Sequence, residues 1–289
     1  MKRLIHLFTM GVVLLFAVQI AAAVVPQGIV DEMAKNYITK KPVPAVSSHL
    51  SLHEAMLVQK AFVSRIEAVY GPPVGYKAGL TSPPAQKKFG VSHPLLGVLL
   101  EKMLIRKTSV VMDAKFGVLP FTEGDLVVSV GSEKINSAKN NTEILAGLDA
   151  VYPFIELPDL FYVRGTKLDG PALAAINVAA RYGLLGNPIK LSPTTEWEKR
   201  LGSFTLEILN RDGKVLATGK GKNLLGDPLN VVRWIRDTLK KQGKPLKKGD
   251  LLSLGTITKL MPAKPGKMIR ARYIGLDPKG PVEISVSFK

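Results

Sequence analysis

The sequence contains no cysteine, and it has only four histidines and two tryptophans among its 289 residues. Without cysteine, thiolate catalysis, disulfide bonds, zinc–thiolate sites and iron–sulfur clusters are all excluded. Acidic residues are also scarce, because 23 Asp and Glu stand against 40 Lys and Arg. The chain must therefore rely on its hydrophobic core for stability, and a carboxylate within an apolar segment is a candidate functional group.

The excess of positive charge gives a formal net charge of +17, which is compatible with binding to nucleic acid or another polyanion. The lysines are spread along the chain rather than interleaved with aromatic residues. Their densest cluster, residues 240–248, has the pattern of a helix end followed by a turn. We therefore interpret the excess as solvated surface charge and expect no nucleic-acid partner. Attraction of anionic substrates or of the cell envelope is the weaker alternative.

The N-terminus has the pattern of a targeting segment. Lys2 and Arg3 precede an apolar run that ends in small residues at Ala22 and Ala23. This order predicts a secretory signal peptide over residues 1–23, and the alternative is an uncleaved N-terminal anchor. We expect a periplasmic or secreted protein that contacts the membrane only through this segment.

The remainder, with 46% hydrophobic residues in the chain as a whole, is typical of a globular protein. Apolar residues at helical spacing predict a helical N-terminal arm within residues 24–70, and Ser51 with Glu54 forms a capping-box pattern. Residues 71–289 form the main domain in this interpretation. Within it we predict strands at 74–81, 126–130, 152–157, 251–254, 269–273 and 282–286, helices at 142–150, 172–182 and 227–242, and a hairpin at 203–219.

Three carboxylates stand in apolar surroundings. Glu123 and Asp125 are two residues apart before an apolar run, so on a strand both side chains point to the same face. Glu156 lies between Ile155 and Leu157. Burying such acids without partners is costly, and a divalent cation with oxygen ligands removes that cost. The pattern favours a Mg²⁺ or Mn²⁺ site; the alternatives are solvent exposure for the first two acids and a buried ion pair for Glu156.

Five strings occur in the order found in one enzyme family. They are Gly75-Tyr76-Lys77-Ala78-Gly79-Leu80-Thr81-Ser82, Glu123-Gly124-Asp125, Ile155-Glu156-Leu157-Pro158-Asp159, Leu225-Gly226-Asp227-Pro228-Leu229-Asn230-Val231-Val232-Arg233-Trp234 and Gly255-Thr256. Over roughly residues 50–289 the chain resembles the 2-keto-4-pentenoate hydratases and 2-oxo-3-hexenedioate decarboxylases of the fumarylacetoacetate hydrolase superfamily. The resemblance implies an α+β fold, in which a mixed, strongly curved β-sheet roll carries outer helices, and a homo-oligomer. Residues 71–289 would then be a hydratase-like catalytic domain.

The resemblance also implies a site. Glu123, Asp125 and Glu156 correspond to the ligands of Mg²⁺ or Mn²⁺, and Lys77 corresponds to the catalytic lysine. By the same resemblance, the residues expected to bind substrate are Leu80, Asn177 and Thr256. The implied function is that of an exported, divalent-metal-dependent lyase or hydrolase that acts on a small 2-keto or diketo acid through an enolate.

This sequence departs from the family pattern at two positions. Leu95 stands where the hydratases have an acid, and Ile176 replaces the Asp of the family string Ala-Asp-Asn-Ala-Ser. The departures favour cleavage or decarboxylation over hydration. They also support an alternative function, that of a catalytically degenerate envelope protein that keeps the fold and binds small carboxylates.

Several polar residues near these strings have two interpretations. Asn177 contacts either substrate or only the backbone, and His93 either replaces the missing acid as a proton carrier or is an exposed loop residue. Asp159 is expected to cap a turn. Arg164 and Lys167 are expected to be surface charges, with steering of anions as the alternative.

Overall fold

The computed structural model describes residues 27–44 and 50–289. The predicted signal peptide, residues 1–23, lies outside the described residues, and so do residues 24–26 and 45–49 of the predicted helical arm. Within the described ranges, no helix is both long and apolar enough to span a bilayer.

The helices of the described ranges are mostly short. The α-helices are α1 (Gln27–Thr39), α2 (Leu52–Tyr70), α3 (Pro83–Phe89), α4 (Asn141–Ala146), α5 (Gly170–Ala175), α6 (Thr195–Ser203) and α7 (Pro228–Lys241). Short 3₁₀ turns lie at Glu101–Met103, Glu133–Ser137, Asn177–Ala179 and Gly221–Asn223.

Strands supply most of the main domain. They are β1 (Pro73–Gly79), β2 (Leu95–Leu100), β3 (Leu104–Arg106), β4 (Ser109–Met112), β5 (Phe121–Val130), β6 (Leu148–Leu157), β7 (Tyr182–Leu185), β8 (Ile189–Lys190), β9 (Thr205–Leu209), β10 (Val215–Lys220), β11 (Leu251–Ser253), β12 (Met261–Pro262), β13 (Met268–Asp277) and β14 (Gly280–Phe288).

The strands form two sheets. The larger sheet has the order β2-β1-β11-β5-β6-β7-β3, with β12 beside β5 and β8 beside β6, and the smaller has the order β10-β9-β13-β14-β4. Parallel pairs, such as β1 with β11, occur among antiparallel ones, so both sheets are mixed. The larger sheet curls strongly and carries helices, which confirms the predicted α+β roll.

The main core lies where the two sheets and α7 meet. Alternate residues of β5, such as Leu126 and Val128, are fully buried there. The hydroxyl of Tyr273 on β13 donates to the carbonyl oxygens of Asp125 (2.7 Å) and Phe154 (2.8 Å). It also accepts from the Phe154 amide at 2.9 Å. This buried hydroxyl therefore ties the smaller sheet to the two strands that carry the predicted metal ligands.

The helical arm packs on a second hydrophobic cluster. Ser51 caps α2 and Glu54 completes the capping box, as the sequence predicts. The rings of Tyr37, Phe62 and Phe161 pack against one another with centroids 5.0–5.7 Å apart. The Tyr37 hydroxyl donates to the Ala180 carbonyl oxygen at 2.9 Å, so the arm contacts the segment that precedes β7.

Two helices end earlier in the structure than the sequence predicts. The helix predicted at 142–150 ends at Ala146, because Gly147 ends it and the chain from Leu148 pairs with β5 as part of β6. The helix predicted at 172–182 ends at Ala175, since residues 177–179 turn away and Tyr182 enters β7 beside β6. In both cases pairing between distant strands overrides the local helical pattern.

Candidate functional site

Lys77 lies in the middle of β1, and its side chain is only 3% exposed. It faces Gly97 on the neighbouring strand β2. A β-carbon at Gly97 would lie 2.8 Å from Cγ of Lys77, so glycine is required to leave room for this side chain. Gly79 is packed against Val178 in a similar way. Lys77 is therefore a buried, closely packed lysine rather than a surface charge.

The Lys77 ammonium has two recorded partners. It pairs with Oε1 of Glu156 and donates to the carbonyl oxygen of Val178 at 2.9 Å. Asn177, Val178 and Ala179 have φ values of 55°, 53° and 58°. This left-handed conformation is unfavourable for residues with a β-carbon, and most of all for a β-branched one. A strained turn thus directs a backbone carbonyl to the candidate catalytic lysine.

Glu123 and Glu156 are directly opposite each other on the antiparallel strands β5 and β6. Their side chains are 6% and 3% exposed. Oε2 of each has no hydrogen-bond partner in the described part of the chain. Burial, followed by the charge of Glu156, raises the pKa of Glu123 well above its usual range, and the nearby Lys77 offsets only part of this effect.

Asp125 follows two residues later on the same face of β5 and is fully buried. Its carboxylate accepts from the Ser253 hydroxyl and from the amide of Leu126, both at 2.5 Å. Burial and the charge of Glu156 raise the pKa of Asp125 to about 7, although the hydrogen bond from Ser253 lowers it. Neighbouring strands thus hold all three predicted ligands inside the protein.

These side chains fit a divalent cation in charge and in donor type. If all three carboxylates were ionised beside the single ammonium, two negative charges would be uncompensated inside the protein, and two carboxylate oxygens lack partners in the described residues. An all-oxygen donor set suits Mg²⁺ or Mn²⁺. In the described ranges, no group of three or more Asp, Glu or His side chains is already arranged to coordinate one metal ion. The Asp125 carboxylate is bonded to Ser253, and the Glu156 carboxylate is bonded to Lys77.

A cavity of about 600 Å³ opens above this cluster. Lys77 and Glu123 line its buried end, and the predicted substrate residues Leu80 and Thr256 lie on its wall. Asn177 is not part of the lining. Its amide instead donates to the carbonyl oxygen of Val98 and accepts from the Val98 amide, both at 2.8 Å. The structure shows this backbone contact, while a substrate contact by Asn177 stays a prediction.

The positions that depart from the family pattern are apolar and buried. Leu95 is 3% exposed and Ile176 is fully buried, and both belong to the second hydrophobic cluster. His93 is exposed and lines a separate cavity beside Leu95, which favours the exposed-loop interpretation over a proton carrier for Lys77. Arg164 and Lys167 are exposed and do not line the main cavity.

The turn cap predicted for Asp159 is not local, because its carboxylate binds the backbone of a loop 40 and 41 positions earlier in the chain. Its Oδ1 accepts from the amides of Val118 and Leu119 at 2.9 and 2.8 Å. Sequence reasoning missed Ser253, Gly97 and the left-handed turn at residues 177–179. Ser253 and Gly97 each interrupt an apolar strand, which is a usable signal, whereas the turn contains no glycine to indicate its conformation.

Comparison with known proteins identifies the family. A scan against protein-family models finds no match. The 2-keto-4-pentenoate hydratase of Paraburkholderia phymatum is 30% identical over 204 residues, which are 70% of this chain and 75% of that protein. The chain belongs to the 2-keto-4-pentenoate hydratase family. The resemblance to the 2-keto-4-pentenoate hydratases is thereby confirmed.

One further relative agrees with this membership, and a solved structure shares the fold. The 4-oxalocrotonate decarboxylase of Pseudomonas putida is 26% identical over 227 residues, which are 78% of this chain and 83% of that protein. The solved structure of the 4-oxalocrotonate decarboxylase from Pseudomonas putida G7, complexed with magnesium and adipate, superposes with a TM-score of 0.78 at 24% identity. It covers 91% of this chain and 97% of that one, so the fold is shared over nearly the whole length.

Proposed function

We propose that this protein is a divalent-metal-dependent lyase or hydrolase of the 2-keto-4-pentenoate hydratase type, acting on a small 2-keto or diketo acid through an enolate. The observation that carries the proposal is the charge imbalance at the buried end of the cavity. Lys77 and Glu123 line that end, and Glu156 pairs with Lys77. Asp125 is buried two residues from Glu123 on the same strand, so ionising all three acids would leave two negative charges uncompensated. Evolution tolerates such burial mainly at functional sites, because it costs stability.

In this proposal Glu123, Asp125 and Glu156 hold Mg²⁺ or Mn²⁺. The related decarboxylase structure that contains magnesium supports a divalent ion. Such an ion, when bound, supplies Lewis-acid polarisation of the oxygens of a keto acid. The unpartnered Oε2 atoms of Glu123 and Glu156 are the first atoms expected to bind it.

Lys77 is the proton-transfer group in this proposal. It lines the cavity, and its ammonium is fixed by Glu156 and by the Val178 carbonyl oxygen. A lysine held in this way is able to deliver or accept a proton at a carbon beside the keto group. The apolar cavity wall, which includes Leu80, limits access of water to that proton.

The reaction proposed is carbon–carbon cleavage or decarboxylation rather than hydration. Addition of water requires a group that activates the water, and Leu95 and Ile176 supply no such group at the positions where the family has acids. Cleavage and decarboxylation mainly require an electron sink, which the polarised keto acid provides.

The same two residues support a second candidate function. A chain that has replaced both acids by buried apolar residues is also consistent with a protein that binds small carboxylates without turnover. The basic composition and the predicted signal peptide are consistent with such a binding protein in the cell envelope.

The test is turnover by protein that has been stripped of metal and then reconstituted. The purified protein is treated with EDTA and mixed with a panel of 2-keto and acylpyruvic acids, with and without Mg²⁺ or Mn²⁺. The substitution Glu123→Gln is compared with Asp149→Asn, which alters an exposed acid on β6. Metal-dependent turnover that is lost only in Glu123→Gln supports the enzyme. Metal-dependent binding without turnover supports the second candidate, and the absence of both contradicts both.

Export and assembly are further parts of the proposal. We propose that residues 1–23 are cleaved during export to the periplasm or the medium, and that the protein forms a homo-oligomer. Intact mass measurement of protein from each cell fraction tests the first, since retention of residues 1–23 in cytoplasmic protein would contradict it. Light scattering after size-exclusion chromatography tests the second, because a mass of one chain would contradict it.

A further inference from the structure

The edge of the larger sheet beside Lys77 is covered by the turn at residues 177–179 rather than by another strand. In the described ranges β2 is the last strand on this side of the sheet, next to β1. The backbone amide and carbonyl oxygen of Val98 on β2 both bond to the Asn177 side chain, each at 2.8 Å. A side-chain amide, which has both a donor and an acceptor, thus takes the place of a neighbouring strand.

Asn177 also suits the backbone conformation at the start of this turn. Its φ is 55°, and Val178 and Ala179 follow with values of 53° and 58°. Asn tolerates this left-handed region better than most residues with a β-carbon, whereas a β-branched residue such as Val178 disfavours it. Asn177 is fully buried, so its two bonds to Val98 are shielded from water. These bonds therefore hold a turn that its own sequence does not favour.

The turn packs against the two glycines that flank the Lys77 side chain. A β-carbon at Gly97, which is opposite Lys77 on β2, would lie 3.0 Å from the carbonyl oxygen of Asn177. Gly79 packs against the side chain of Val178. The carbonyl oxygen of Val178 accepts from the Lys77 ammonium at 2.9 Å. The position of this oxygen therefore depends on the anchor at the preceding residue.

We propose that Asn177 is a positioning residue, which holds the turn against β2 and thereby fixes the Lys77 ammonium for proton transfer. Asn177 does not line the cavity, so it acts through the Val178 carbonyl oxygen and not on the substrate. The inference rests on the proposed function, because the role of Lys77 in proton transfer belongs to that proposal. It gives Asn177 a role that differs from the substrate contact predicted from the sequence.

The variant Asn177→Gly tests the side-chain bonds alone, because glycine adopts the same left-handed φ without strain. We expect kcat to fall by about 10–10²-fold, which is the usual cost of a small displacement of a catalytic group. KM and the affinity for Mg²⁺ are expected to stay within about threefold of wild type, because the three acids keep their own contacts. Steady-state kinetics use the 2-keto acid that the wild-type protein turns over fastest.

The matched control is Asn136, which makes the same pair of bonds but does not line the cavity. Its side chain donates to the Leu246 carbonyl oxygen at 2.8 Å and accepts from the Leu246 amide at 3.0 Å. Asn136→Gly and Asn177→Gly should each lower the melting temperature by about 4–8 °C, but the control should keep its kcat. If Asn177→Gly does not fold, Asn177→Ser replaces it, because the serine side chain is too short to make both bonds.

A second measurement follows Lys77 without turnover. The rate of acetylation of Lys77 by acetic anhydride is measured by peptide mass spectrometry and normalised to that of Lys35, which is exposed on α1. A displaced Val178 carbonyl oxygen no longer holds the ammonium, so the rate should rise roughly fivefold in Asn177→Gly, the factor expected for one hydrogen bond. It should stay unchanged in Asn136→Gly.

A lower kcat and faster acetylation in Asn177→Gly alone support the proposal. Equal changes in both variants, or wild-type values in Asn177→Gly, overturn it and leave the proposed function intact. A higher KM at unchanged kcat also overturns it, in favour of a substrate contact. Absence of metal-dependent turnover in the wild-type protein contradicts the proposed function instead. Faster acetylation in Asn177→Gly alone then still supports the anchor, and an unchanged rate overturns it.

Discussion

Two buried charged clusters in the described part of the chain differ in charge balance. In the first, Asp159 faces Arg181, with Oδ2 and Nη1 3.6 Å apart, and Oδ1 accepts two backbone amides. Arg181 also donates to the Tyr37 carbonyl oxygen at 2.7 Å and lies over the Tyr37 ring at 4.2 Å. One acid and one base compensate each other, and their contacts join the N-terminal arm to the main domain.

The second cluster, at the candidate site, has three acids and one recorded base. Burial raises the pKa of Asp159 as well, but backbone amides and Arg181 counteract the increase. At the site the like charge of Glu156 adds to burial for both Glu123 and Asp125. Depth of burial therefore does not distinguish a functional cluster from a structural one. The two clusters are distinguished by their charge balance, because the candidate site has fewer basic than acidic groups.

The largest expected effect is that of Lys77→Met on turnover. Removal of a positioned proton-transfer group typically costs 10²–10⁴-fold, so we expect a loss of about 10³-fold in kcat. Steady-state kinetics with Mg²⁺ measure it, with Lys87→Met as the exposed control. Activity within about tenfold of wild type would show that Lys77 has a structural role, like Arg181, rather than a catalytic one.

The next effect is on stability, at the balanced cluster. Arg181→Met leaves Asp159 buried without its charge partner, and breaking such a pair destabilises by about 3–5 kcal/mol. Urea denaturation measures the loss, and adding Asp159→Asn to the variant is expected to recover part of it. A loss below about 1 kcal/mol would show that the backbone amides alone stabilise the carboxylate.

The third effect is the pH dependence of metal binding. The pKa of Asp125 is raised to about 7 in the metal-free protein, so this carboxyl is mostly protonated below that pH. A cation needs the deprotonated form and must displace the proton. The affinity for Mn²⁺ should rise by about tenfold or more per pH unit between pH 5 and 7 and should keep rising above pH 7, because Glu123, whose pKa is also raised, must lose its proton as well. Titration followed by electron paramagnetic resonance measures it, and a flat profile would contradict the assignment.

The smallest effect is on the metal-free site itself. Glu123 has a raised pKa when folded, so its contribution becomes unfavourable as the pH rises above the value of the unfolded chain. At pH 8, Glu123→Gln should therefore raise metal-free stability by about 1 kcal/mol while abolishing stabilisation by Mg²⁺. Thermal melting compares it with Glu32→Gln, an exposed acid on α1 expected to change stability by less than about 0.5 kcal/mol. A clear loss of metal-free stability in Glu123→Gln would contradict the proposed excess of acidic over basic groups at the site.

Sequence patterns predicted the charged part of the site because its signals are local. Glu123 and Asp125 are two apart on one strand, and Glu156 interrupts an apolar strand. Lys77 was found through its glycine-containing string, which the close packing of Gly79 explains. These features depend on residues within a few positions of one another, so they can be recognised in the sequence without knowledge of the fold.

The rest of the site depends on contacts between distant segments. Ser253 reaches Asp125 only because β11 lies beside β5, 128 positions away in the chain. The left-handed turn at residues 177–179 is maintained by its surroundings and not by its own preferences, since Val178 disfavours it.

The central claim is that three buried carboxylates share one divalent cation at the end of the cavity. The most direct measurement is anomalous diffraction from crystals soaked with Mn²⁺ and oxalate, an enolate mimic. We predict a single strong manganese peak within coordination distance of carboxylate oxygens from Glu123, Asp125 and Glu156, with oxalate beside it. A saturating soak that leaves this position without a peak, or places manganese only on surface carboxylates, would contradict the account.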